Sequence, residues 1–191
     1  MRDSCTLAIH FSYVIIDIMS IFDFLGLNAN KGEKPSSETE TVRRITQELD
    51  QLEPRRAKFI AAFAYLLARA ASADMTISTK ETRTMERIVM ERGRLPEEQA
   101  VVVVQIAKTQ NIHFGGTENY LVSREFKQAA SYEERLSLLD CLFAVAASSE
   151  SISTIEDNEI SQIADELRIE HRDFIATRSR YREHLAVLRN P

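Results

Sequence analysis

One phrase occurs twice in this 191-residue chain, and its spacing limits the folds available. The first copy runs Ala73-Asp74-Met75-Thr76-Ile77-Ser78-Thr79-Lys80-Glu81, the second Ser148-Ser149-Glu150-Ser151-Ile152-Ser153-Thr154-Ile155-Glu156. Ile77, Ser78, Thr79 and Glu81 thus recur as Ile152, Ser153, Thr154 and Glu156, a constant 75 positions later. Each copy follows an apolar, alanine-containing stretch. Repetition at a fixed offset marks one supersecondary unit used twice, so the chain reads as two related helical hairpins packed together.

The rest of the sequence agrees with an all-α protein. Glycine (5) and proline (4) are scarce, and apolar residues recur every three to four positions. The Val101–Val104 run lies between Pro96-Glu97-Glu98, a helix start, and Ile106-Ala107-Lys108, and is read as buried helix. Helices are expected over Glu38–Leu52 and from Pro54 through Ala70. Another carries Met85, Ile88 and Val89 and stops near Gly93, and the next runs from Pro96 to about Thr109. Asn111-Ile112-His113-Phe114-Gly115-Gly116 is expected to join the halves as a loop, with a short helix over Glu118–Lys127. Ser131 with Glu134 opens the second half. A helix bearing Ile160, Ile163 and Leu167 follows, and a last one spans Glu170 to about Leu188.

The N-terminus reads differently. Leu7–Leu27 is nearly long enough to span a bilayer, but His10, Asp17 and Asp23 would be costly in hydrocarbon, and Arg2-Asp3 is a poor signal-peptide start. Met19 resembles a natural start, which would leave residues 1–18 upstream of the protein proper. Ile21, Phe22, Phe24 and Leu25 then form a short apolar anchor able to touch a membrane surface through Met19–Leu27. Residues 27–37, with Gly32 and Pro35, read as a linker, so the expected organisation is 1–37 as anchor plus linker and 38–191 as one helical domain.

Ser78 with Glu81, and Ser153 with Glu156, have capping-box spacing: the serine oxygen accepts from the backbone three residues on, and the glutamate reaches back. That explains both copies without a ligand. Ile77 and Ile152 would act as hydrophobic staples. An EF-hand does not fit, because with Glu81 at the last loop position the first and third become Ala70 and Ser72, and the required glycine becomes Met75.

Ala73-Asp74, Ile77-Ser78 and Glu81, behind an alanine-rich helix, resemble the motif of the TerB tellurite-resistance family and the related N-terminal domain of the co-chaperone DjlA. The resemblance covers roughly Pro54 to Leu188. It implies a compact bundle of seven or eight helices, a bacterial cytoplasmic setting, and divalent-cation binding by acidic residues at the helix starts. Met75 stands where the motif has glycine, and Ser149 where the second copy would have aspartate. On this resemblance Asp74, Glu81, Glu150 and Glu156 would converge, with Asp157 and Glu159 nearby, on a site suited to calcium.

The remaining features narrow the function. A net charge of −5 argues against nucleic acid as partner, and Arg178, Arg180 and Arg182 suit a solvated helix end. Cys5 and Cys141 make no disulfide framework or Cys-x-x-Cys pair, which fits a reducing compartment. His113, His171 and His184 have no compatible partners, Cys141 sits among leucines, and no phosphate loop is present, so an enzyme is not expected. The expected role is a non-catalytic module that binds other proteins in a stress response. The alternatives are a calcium-type cation sensor or sequestration protein, and a membrane-peripheral tether.

Overall fold

The computed structural model describes Arg44, Ile45 and residues 48–189. The expectations for residues 1–37, including the start at Met19, the apolar anchor and the linker, lie outside these residues. So does most of the Glu38–Leu52 helix, of which Arg44, Ile45 and Glu48 are helical. Among the described residues the fold is all-α, with seven α-helices, one 3-10 turn and no strand.

Helix α1 (Pro54–Ala71) is the axis of the bundle. Proline at its first turn costs no hydrogen bond, and Glu53 accepts from the Arg55 and Arg56 amides. From Ile60 to Ala71 every residue is buried. The helix can be surrounded because alanines let neighbouring backbones close in, and it packs on α3 above all, then on α4, α2 and α5. Helix α2 (Thr79–Gly93) presents Met85, Ile88 and Val89, one turn apart, to the core. Helices α4 (Tyr132–Ala147), α5 (Thr154–Glu166) and α6 (His171–Arg180) complete the second half. Phe59, Phe63 and Phe126 cluster at one end of the core, with centroids 5.0–6.2 Å apart, and Phe143, Phe174 and Tyr181 at another, at 5.5–6.0 Å. Phe63, Phe126, Phe143 and Phe174 are buried and each contributes on the order of 1.5–3 kcal/mol, while Phe59 and Tyr181 are partly buried against them.

Two expectations are corrected. The loop at Asn111–Gly116 and the separate helix after it do not exist: α3 (Glu97–Ala129) is one helix of 33 residues, about 50 Å long. Glycine weakens a helix by about 1 kcal/mol relative to alanine. Burial of Val103, Val104, Ala107, Asn111, Val122 and Phe126 on either side of the glycine pair outweighs that. The last helix does not reach Leu188 but ends at Arg180, followed by a 3-10 turn (Arg182–His184) and α7 (Ala186–Arg189). The break is fixed from outside, because Leu185 forms an isolated parallel bridge with Ile152, with the Ile152 amide 2.7 Å from the His184 carbonyl and the Ala186 amide 2.9 Å from the Ile152 carbonyl.

The duplication is written in the backbone. Four non-glycine residues have positive φ among those described: Met75 (68°) and Glu150 (84°), 75 apart, and Arg94 (51°) and Arg168 (56°), 74 apart. The Met75 and Glu150 amides each bond the carbonyl three residues back, Ser72 and Ala147. Beyond the second left-handed residue, the Leu95 and Ile169 amides each bond the carbonyl five back, Met90 and Ala164, and both side chains are buried. This is the Schellman helix ending, used twice.

Candidate functional site

The two repeated turns open α2 and α5 with the same cap. Glu81 N donates to Ser78 Oγ at 3.1 Å and Ser78 N to Glu81 Oε2 at 2.7 Å. In the second half the matching distances are 3.2 and 2.8 Å, between Glu156 and Ser153. Both boxes form as the spacing predicts, but the staples do not. The fourth helical residues are the polar Thr82 and Asp157, and Ile77 and Ile152 pack into the main core instead.

Both capping glutamates are buried, Glu81 at 4% and Glu156 at 2% exposure. Burial pushes the Glu156 carboxyl up to about 7 against the opposing Ser153 hydrogen bonds, and the negative charges of Glu81 and Asp74 push it further in the same direction. The halves therefore bring Asp74 and Glu81 within electrostatic reach of Glu156. Glu150 does not join them. Its side chain is 78% exposed and pairs with Lys80 at 2.6 Å, so the left-handed backbone of the second turn points the carboxylate outward, across to the first half.

The remaining acids named from sequence are engaged elsewhere. Asp74 Oδ1 accepts from Thr76 N (3.0 Å) and Thr76 Oγ1 (2.8 Å), closing its own turn. Asp157 is gripped by Arg178 through contacts of 2.5–3.1 Å, and Glu159 by Arg69 at 2.5 Å. Among the described residues no three acidic, histidine or cysteine side chains are grouped so as to hold a metal ion. Each of the inner two carboxylates gives one oxygen to a backbone amide, and Asp74 gives one to its own turn. His113 is exposed on α3, His171 is exposed at the start of α6, and His184 Nδ1 lies 3.4 Å from the Glu150 carbonyl. Burial pushes the Cys141 thiol up, against the opposing charge of Arg92, which leaves it a small buried apolar group.

Sequence reasoning missed the polar heart of the bundle. Arg69, 2% exposed on α1, donates to Glu159 and to Glu166 (2.6 and 3.1 Å), and also to Ser123 Oγ at 3.1 Å. Burial works against the arginine's charge, but Glu166 and Glu159 more than offset it and hold the guanidinium above its ordinary value. The same bonds keep the Glu166 carboxyl low in spite of its own burial. Around them Tyr65 Oη donates to Asn119 Oδ1 at 2.9 Å, and Ser72 Oγ bonds Asn111 Oδ1. The signal was available: Arg69 is the one charged residue in a stretch apolar on every face, and such a charge must be paired inside.

The family model for tellurite resistance protein TerB matches residues 60–179, more than half of the chain. No curated protein and no solved structure matches it. The matched span runs from α1 to the end of α6 and takes in both repeated turns, both capping boxes and the Arg69 network. The chain belongs to the TerB tellurite-resistance family.

Proposed function

We infer that this TerB-family chain is a non-catalytic interaction or regulatory module in a bacterial metal- or envelope-stress response. One observation carries the interaction reading. Met75, at the tip of the first repeated turn, is 93% exposed and holds a left-handed φ of 68°, a conformation that costs a non-glycine residue energy. A flexible apolar side chain held out on a rigid turn suits a protein partner. The test is complementation of a strain lacking this protein under tellurite stress. The wild-type chain restores growth, and Met75→Asp, folded to the same melting temperature, does not. Full rescue by Met75→Asp would remove Met75 from the account, and a deletion strain as tolerant as its parent would remove the stress role.

A second reading, a calcium-type cation sensor, has one point in its favour: the repulsion that Glu81 and Asp74 exert on Glu156 is what a cation would relieve. Isothermal titration of the protein with calcium decides it, because absence of heat at millimolar concentration rejects the sensor. The tether reading rests on Met19–Leu27. Among the described residues no helix is long and apolar enough to cross a membrane. Liposome co-sedimentation of the full chain against a version beginning at Ser36 tests it, and equal partition of the two refutes it.

A further inference from the structure

A second site lies at the bundle end defined by the start of α1 and the finish of α2. There a cleft of about 440 Å³ is ringed by Arg55, Arg56, Arg92 and Arg94 over the apolar Phe59 and Ile60. Two glutamates, Glu53 and Glu134, also line it, but both are turned to backbone donors. Glu53 accepts from the Arg55 and Arg56 amides, each at 3.1 Å, and Glu134 from the Ser131 amide at 2.7 Å. Four guanidiniums against two carboxylates leave a formal charge of +2 on a chain of net −5. This is a local reversal of the field of the whole protein.

Two of the four arginines are tied into the fold, Arg92 beside Cys141 and Arg56 at the end of α2. Arg56 Nη2 bonds the Gly93 carbonyl at 2.5 Å, which pins the two helix ends together and fixes that guanidinium at the rim. Among the described residues the Arg55 and Arg94 side chains enter no ion pair. Arg94 reaches its place through the left-handed Schellman position, φ 51°. Its counterpart in the second half is Arg168, and the Arg56 bond to the Gly93 carbonyl is repeated there by Arg135 Nη1 on the Leu167 carbonyl at 2.7 Å. Guanidinium forks match the oxygens of a phosphate group in pairs, and the apolar floor suits the carbon body attached to it. The cleft also falls within the usual size range of small-ligand sites.

We propose that this arginine cleft binds a phosphate group borne on an organic body, either a soluble phosphate ester or a lipid headgroup. The test follows backbone amides of the full chain by NMR during titration with glycerol phosphate, in constant chloride. Saturable shifts confined to Glu53–Ile60 and Arg92–Leu95, weakened at least tenfold in Arg55→Gln/Arg94→Gln, are expected. Both replaced side chains are exposed, and an unchanged melting temperature shows that the variant is folded. Unsaturable shifts spread over the surface, or equal binding by the folded double variant, would overturn the proposal. The source is assigned with vesicles of phosphatidylcholine containing phosphatidic acid, against phosphatidylcholine alone. Arginine-dependent recruitment to the first supports a headgroup, and saturable glycerol phosphate binding without recruitment supports a soluble ester.

Discussion

The first and second repeated turns share a backbone and differ in almost everything attached to it. Both have a left-handed residue, a serine cap and a buried glutamate. The first leaves Met75 in solvent and Asp74 bound to its own turn. The second tucks its serine, Ser149, onto the Ala146 carbonyl, sends Glu150 out to Lys80 and is covered by the Leu185 bridge. The lesson is that duplication preserved the hydrogen bonds that terminate and start helices, where a lost partner is costly, and released the side chains that face outward. The two halves thereby became specialised, one turn bare and one turn covered.

Breaking the contact between the halves should have the largest effect. Arg69 on α1 reaches Glu159 and Glu166 on α5, and Arg69→Met strands two acids around a buried gap, so urea unfolding should show a loss of about 3–5 kcal/mol. The exposed counterpart, Lys80→Ala against Glu150, should cost under about 1 kcal/mol and vanish in high salt. If the two variants lose the same stability, the buried tie is not what joins the halves.

The inner glutamates give a pH signature. Because the folded Glu156 carboxyl sits near 7 and its ordinary value is 4.5, the fold binds this proton more tightly than the unfolded chain. The stabilisation is therefore complete below about 4.5 and is lost as pH rises through about 7, a fall on the order of 3 kcal/mol. Glu156→Gln keeps the capping oxygen and should flatten that part of the stability profile. Glu81→Gln should reduce it in part, since Glu81 supplies one of the opposing charges. A profile that rises over this window in the wild type would contradict the buried pair.

Smaller changes sharpen the equivalence. Ser78→Ala and Ser153→Ala remove matched caps and should each cost about 0.5–2 kcal/mol, by similar amounts in thermal unfolding. Met75→Gly and Glu150→Gly relieve left-handed strain and should stabilise by about 1 kcal/mol or less each. A destabilising Met75→Gly would mean that the methionine is held by packing rather than tolerated.

The parts of the fold legible in the sequence were the local ones. Ser-x-x-Glu announces a capping box because donor and acceptor are three residues apart, and the boxes at Ser78, Ser131 and Ser153 all formed. The Gly115-Gly116 pair misled because its helical state is imposed by neighbouring elements: α3 is clamped along α1 and α2, and a Cβ on Gly116 would meet nothing within 4 Å, so packing does not require that glycine. Tyr181 ended α6 for an equally distant reason, its hydroxyl bonding the Asp140 carbonyl and carboxylate 41 residues away. The repeated phrase located both turns and their caps. It could not show that Glu150 swings out, since that depends on a left-handed φ at a residue where glycine is the usual choice, and on a lysine supplied by the other half.

The equivalence of the halves is tested most directly by measuring φ in solution, from NMR couplings between amide and α protons, at Met75, Glu150, Arg94 and Arg168. Left-handed values at all four sites are predicted. A left-handed Met75 beside an extended Glu150, or the reverse, would contradict it.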